Sequence, residues 1–307
     1  MKLSRTVILF FLTALAFSGC ERRAPADAAS NNAVPGAAAP GAAPLRIISA
    51  APSNTEIIVG LGLADRVIAA DKYSLDLLPP GITEIDFFYP DAEAILGLAP
   101  DLIISSEHNV YGAADDPYKI LGDMGINILY IPTSRSIADI KRDIRTVAAA
   151  LGEAGRGEDL VRTMEQEIQE LAEIGQRITA DPAFKRKTVY LEISPFPNPV
   201  TMGRETFLDE MLGIIGARNV FGDTAGWIAP SAEAILERNP ELILTNVNFI
   251  EDPVGEIKSR QGFASITAIR ENQVHIIDTD SSSRPSHRIT VALRQMAQAV
   301  YPEEYAR

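Results

Sequence analysis

One stretch of this sequence occurs twice, and nothing else in the chain restricts its architecture as much. Residues 91–106 read DAEAILGLAPDLIISS and residues 231–246 read SAEAILERNPELILTN, identical at eight of sixteen positions, at a constant offset of 140 and without a gap. Upstream of each copy lies a comparable unit, NTEIIVGLGLADRVIAAD from Asn54 and ETFLDEMLGIIGARNVFGD from Glu205. Both units are expected to be a helix ending at a glycine, followed by a short strand closing on Asp71 or Asp223. Two matches in the same order at nearly the same spacing indicate two lobes with one topology. The length of 307 residues gives each lobe the size of an ordinary domain.

Short apolar runs rich in β-branched residues predict buried strands at Leu45–Ser49, Arg66–Ala70 and Leu102–Ser105. Ser53 and Glu56 form the Ser-x-x-Glu pattern of a capping box, which predicts a helix from Asn54 to Leu61 that stops at Gly62. Asp91 is placed to cap the next helix. Strands alternating with helices predict an α/β fold with largely parallel sheets: two doubly wound α/β lobes, residues 45–153 and 183–307. Residues 154–182 join them. Val161, Met164, Ile168 and Leu171 recur there at helical spacing without an intervening proline, which predicts a single long rigid helix. Such a connector allows only small rocking between lobes.

The N-terminus reads as a leader. Lys2 and Arg5 precede an apolar run from Val7 to Phe17 that is too short to span a bilayer, where about 20 residues are needed. Ser18 and Gly19 then lead to Cys20, the only cysteine in the chain. That pattern resembles a lipoprotein signal over residues 1–19, with Phe17 a departure from its usual small or aliphatic residue. A lone thiol in an exported chain is consistent with lipidation of Cys20. Residues 20–44, mostly Ala, Pro, Gly, Asn and Asp, cannot bury enough apolar surface to fold and predict a tether. The expectation is an exported, membrane-anchored protein facing the periplasm or the extracellular side.

The formal charge is −13, and −15 once Lys2 and Arg5 leave with the leader. No basic run is long enough to track a phosphate backbone, which argues against nucleic acid as a partner. Enzyme signatures are missing too. Gly60-x-Gly62 closes a helix, whereas a dinucleotide fingerprint opens one after a strand. No Gly-x-x-x-x-Gly-Lys, Gly-x-Ser-x-Gly or His-Glu-x-x-His pattern occurs. No two of His108, His275 and His287 have metal-ligand spacing. The chain is expected to bind rather than to catalyse.

Several stretches, in order, resemble the substrate-binding proteins of ABC importers for iron complexes, haem and vitamin B12. They are RIISAAPSNTEIIVGLGLADRVIAAD, the two AEAI segments, TMGRETFLDEMLGIIGARNVFGD, GFASITAIRENQVHIID and SRPSHRITVAL, and the resemblance extends over roughly Arg46 to Pro302. The resemblance implies two α/β lobes bridged by one helix and a monomer that delivers a small-molecule metal chelate, a corrinoid or ferric siderophore, to a dimeric permease. Capture of haem or a free metal ion, or a sensor lipoprotein without transport, are the other readings. It also implies that Glu93 and Glu233, one at the start of each repeated helix, dock on permease arginines. No resident cofactor is expected.

A ligand held between α/β lobes sits outside the carboxyl ends of the strands. Aromatic residues make up only 7% of the chain, yet many fall in the loops expected there: Tyr73, Phe87, Phe88, Tyr89, Tyr111, Phe196, Trp227 and Phe249. Stacking surfaces of this kind suit a flat, partly apolar ligand. Asn246 lies in one of the same loops. Of these residues, the resemblance aligns Tyr73, Phe87 and Trp227, together with Asp280, with corrin-contacting positions, while Ser106 and Ser281 stand where further aromatics can occur. His108 is a possible axial ligand, and Arg204, Arg284 and Arg288 are possible anion partners.

Overall fold

The structure, a computed structural model, describes residues 45–107 and 116–306. The leader, Cys20, the tether, His108 and Tyr111 lie outside the described residues.

The first lobe holds a five-stranded sheet in the order β3-β2-β1-β4-β5. Its strands are β1 (Ile47–Ser49), β2 (Val67–Asp71), β3 (Thr83–Ile85), β4 (Leu102–Ser106) and β5 (Asn127–Ile131), all parallel. Among the described residues its helices are α1 (Pro52–Gly60), α2 (Ala92–Gly97), α3 (Lys119–Asp123) and α4 (Ile137–Ala150). The connector α5 runs over Ala154–Ala180. The second lobe has a four-stranded parallel sheet in the order β11-β10-β6-β8, formed by β6 (Thr188–Glu192), β8 (Arg218–Asn219), β10 (Leu242–Thr245) and β11 (Val274–Ile276). A short antiparallel pair, β7 (Thr201–Met202) and β9 (Trp227–Ile228), stands beside it. The helices here are α6 (Phe207–Ile214), α7 (Ala232–Arg238), α8 (Pro253–Ser259), α9 (Thr267–Arg270), α10 (Thr279–Ser283) and α11 (Ile289–Val300).

The repeat maps onto equivalent pieces. Its first copy is α2 followed by β4, which pairs with β1; its second is α7 followed by β10, which pairs with β6. Both helices start on a side-chain cap. Asp91 Oδ1 accepts from Glu93 N at 3.0 Å and Ala94 N at 3.1 Å, and Ser231 Oγ accepts from Ala234 N at 3.2 Å. In each lobe the first strand is flanked on opposite sides by the next two units, so a crevice opens at the strands' carboxyl ends.

Two local expectations need correction. The Ser53–Glu56 capping box does not form. Helix α1 starts two residues earlier on Pro52, which needs no N–H at a helix start, and its cap Ala51 makes no side-chain bond. Glu56 turns instead to partners from the far end of the chain. The second-lobe strand does not close on Asp223 either. It ends at Asn219, whose side chain accepts from Phe221 N at 2.9 Å and turns the backbone away from the sheet. Asp223 then pairs at the surface with Arg238 Nη2 at 2.9 Å.

One continuous core cluster runs from the first sheet (Ile47, Leu102) through α4 (Ile140, Ile144, Val147) and α5 (Val161, Met164, Leu171, Ile178) to α6, α11 and the second sheet (Val189, Leu242). The connector is thus part of the core along its length, not a free-standing strut. The backbone approaches closely at both ends. A Cβ on Gly157 would stand 2.5 Å from Ala148 Cβ, and one on Gly175 would stand 1.9 Å from the Ile214 carbonyl oxygen. Close packing of this kind resists continuous deformation and makes the helix a rigid joint.

Candidate functional site

A cleft of about 410 Å³ opens between the two lobes at the strands' carboxyl ends. The first lobe contributes Pro52, Ser53 and Asn54 from the start of α1, Phe87 and Phe88, Ser106 at the end of β4, Ile131 at the end of β5 and Pro132 to Ser134 after it. The second contributes Phe207, Trp227 and Ser283 to Pro285. Its walls are aromatic, with hydroxyls and one guanidinium, the composition of a small-molecule site. A wider groove of about 1020 Å³ follows α5 and the C-terminal residues, but its lining of Glu170, Glu173, Arg177, Glu303 and Glu304 includes no strand-end loop.

Each wall is held by identifiable bonds. Asn54 Nδ2 donates to the Ser105 carbonyl at 3.1 Å, and the Ser49 and Thr55 hydroxyls meet at 2.7 Å, which pins α1 to β1 and β4. Asp86 Oδ1 accepts from Phe88 N at 2.9 Å and Tyr89 N at 3.0 Å, a turn that projects the aromatic triplet. The Tyr118 hydroxyl anchors the same loop through the Phe87 carbonyl at 3.0 Å. The Phe87 and Phe88 rings lie 4.3 Å apart between centroids. Across the cleft, Trp227 rides on β9 opposite Met202. Gly226 before it takes φ of +74°, a left-handed conformation that glycine adopts without strain. Trp227 is 55% exposed, a high value for an indole.

The predicted site residues are distributed unevenly. Phe87 and Trp227 line the cleft, and Asp280 stands one turn from the lining Arg284, bonded to its Nη2 at 2.7 Å. The Tyr73 carbonyl accepts from the same Nη2 at 3.3 Å while its ring lies 4.8 Å from Lys72 Nζ. Tyr89 is 85% exposed beside Phe88, and Phe249 is 72% exposed; neither is in the lining. Phe196 is placed in side-chain packing, edge-on to Phe263 at 6.4 Å with the Arg260 guanidinium 5.1 Å from its ring. Arg204 donates to the Asp223 carbonyl at 2.6 Å and faces Glu205 at 3.4 Å. Asn246 is buried and donates to Ser282 and Ser283 Oγ, both at 3.0 Å, which fixes the start of the Arg284 segment. Among the described residues no group of three or more His, Cys, Asp or Glu side chains is arranged to hold a bare metal ion.

Sequence reasoning missed Thr133, Ser134 and Phe207 in the lining. The first two follow the end of β5, and a strand end was the available signal. It also missed the role of Glu56, whose buried carboxylate accepts from Arg288 Nη1 at 2.8 Å, Arg284 Nη1 at 3.3 Å and Ser286 Oγ at 2.5 Å. Burial pushes the Glu56 pKa up, against the pull of Ser286 and the two arginines.

His287 sits beside this cluster, its ring against Gly60, where a Cβ would stand 2.5 Å from Cε1. Burial, with Arg288 adding repulsion, lowers its pKa from the usual 6.5 to about 4. The unfolded chain therefore takes a proton near pH 6.5 that the folded chain refuses until about pH 4. Stability from this group is full above pH 6.5, is lost as the pH falls towards 4, and amounts to about 3 kcal/mol. Urea titrations of wild type and His287→Gln between pH 7 and 4 should differ by this slope; parallel curves would refute it.

Glu93 and Glu233 are both exposed, each the second residue of its repeated helix. The backbone N–H at the helix start and the Ser231 hydroxyl hold Glu233 below the usual carboxylate range.

Residues 47–281 match the periplasmic binding protein family. The chain belongs to that family. The ABC transporter substrate-binding lipoprotein YvrC of Bacillus subtilis is 29% identical over 265 residues, covering 85% of this chain and 82% of that protein. The vitamin B12-binding protein of Photorhabdus laumondii is 29% identical over 269 residues, covering 84% and 88%. Among solved structures, the apo periplasmic heme-binding protein RhuT of Roseiflexus superposes with a TM-score of 0.71 at 26% identity, covering 85% of this chain and all of that one. The family is one of two-lobed binding proteins rather than enzymes, in agreement with the sequence reading.

Proposed function

We propose that this chain is the substrate-binding subunit of an ABC importer and that it captures a metal chelate, a corrinoid or ferric siderophore, in the cleft. The observation that carries the reading is the cleft itself: aromatic faces from both lobes, Phe87 and Phe88 opposite Trp227, with Arg284 on the wall. A flat chelate offers ring surface to the aromatics and peripheral carbonyl or carboxylate groups to the guanidinium. The names of two relatives, a vitamin B12-binding protein and a heme-binding protein, support this ligand class. Haem capture is the second reading, favoured by the RhuT likeness. A bare metal ion lacks a donor cluster among the described residues.

In this reading Phe87, Trp227, Arg284 and Asp280 form the binding surface, and Tyr73, Tyr89 and Phe249 form its outer rim. Phe196, Arg204 and Asn246 support the second lobe's share of the wall, and His108, outside the described residues, is an axial ligand. Glu93 and Glu233 dock a dimeric permease, and Cys20 carries the lipid that holds a monomer near it through the tether. Because Trp227 is the only tryptophan in the chain, its fluorescence reports cleft occupancy without a label. Titration with the bound chelate should quench it. Trp227→Ala should weaken binding about tenfold or more, since an aromatic anchor in a desolvated pocket contributes about 2 kcal/mol. Unchanged affinity would remove the cleft from the reading.

A further inference from the structure

We propose that Glu56 is a positioning residue for the cleft: from within α1 its carboxylate fixes Arg284 on the cleft wall and sets the separation of the two lobes. The inference rests on the reading of the cleft as the binding site. Glu56 belongs to the first lobe and is 1% exposed. Its partners Arg284, Ser286 and Arg288 lie 228 to 232 positions away, on the segment between α10 and α11. A buried carboxylate persists only when charges and hydrogen bonds surround it.

Arg284 is shared between lobes. Its Nη1 reaches Glu56, while its Nη2 reaches both the Tyr73 carbonyl and Asp280. A guanidinium is a planar fork, so partners on both prongs fix the direction its plane faces. Two of these partners, Glu56 and Tyr73, come from the first lobe, and Asp280 comes from the second. The group that presents positive charge to the cleft is therefore also the tie across it. Without the Glu56 charge, Arg284 keeps one carboxylate, Asp280, on its own lobe, and the segment loses its charged anchor on α1. Arg288 loses its anchor at the same time.

The test uses Glu56→Gln, which keeps the side-chain shape and removes the charge. Nitroxide labels on exposed Glu84→Cys and Gln261→Cys, one per lobe, in the full chain carrying Cys20→Ser, report lobe separation by pulsed electron resonance. Wild type should give one narrow distance distribution. Glu56→Gln should at least double its width and should weaken binding about tenfold or more, for whichever of cyanocobalamin, haemin or ferrichrome the wild type binds. A folded Glu56→Gln protein with wild-type width and affinity would overturn the proposal, because a purely structural role lowers the melting temperature alone. If Glu56→Gln does not fold, Ser286→Ala removes the bond to Glu56, together with the one Ser286 Oγ accepts from Arg288 N at 3.1 Å, and leaves both arginines. It should broaden the distribution measurably and weaken binding about threefold; wild-type values there overturn the proposal equally. Should wild type bind none of the three probes, the ligand reading falls, and the width comparison still decides the role of Glu56.

Discussion

A chain carrying Glu93→Arg and Glu233→Arg together is expected to lose import while its soluble ligand affinity stays within about twofold of wild type, because neither residue lines the cleft. Both side chains are exposed in the first turn of short helices whose caps, Asp91 and Ser231, remain in place. The folded state should tolerate the change. The loss should come from docking, since reversing charge at a complementary contact replaces attraction with repulsion at two points at once. Each single reversal should leave partial uptake, because the glutamate on the other lobe still finds its partner. Uptake in proteoliposomes containing the cognate permease, beside ligand binding on the same preparations, separates the two effects. Import by the double variant at the wild-type rate would remove these residues from the docking surface.

Gly175→Ala is expected to destabilise the protein by about 2 kcal/mol or more, although alanine is the better helix former by about 1 kcal/mol. The added methyl would stand 1.9 Å from the Ile214 carbonyl oxygen and 2.9 Å from its carbonyl carbon, and backbone atoms of α6 cannot rotate aside. Relief requires the connector to lift from the second lobe, which opens the continuous core. Gly155→Ala in the same helix is the control, because among the described residues, the helix's own backbone and chain neighbours aside, nothing lies within 4 Å of its added Cβ. That variant should be neutral or slightly more stable. Chemical denaturation of both variants measures the contrast, and equal stabilities would show that the connector does not depend on this contact.

The parts of the fold visible in the sequence are those set by local periodicity. The repeat predicted equivalent helix–strand units, and β4 and β10 take equivalent places beside β1 and β6. The apolar stripe of α5 predicted a long helix, because burial of Val161, Met164 and Leu171 needs only the 3.6-residue spacing. Pairings set by distance along the chain were not visible. Glu56 looked like a helix cap because its neighbour Ser53 completes the local pattern, while its true partners lie more than 220 residues away. Aromatic loops pointed to the site without saying which faces turn inwards. Phe87 and Trp227 face the cleft, whereas Phe196 packs on Phe263, and nothing in the spacing distinguishes them.

Native mass spectrometry of the purified protein with cobalamin, haem and several ferric siderophores tests the central claim most directly. A one-to-one complex with at least one intact chelate, lost or weakened in Trp227→Ala, is expected. Retention of a free metal ion with no chelate bound would contradict it.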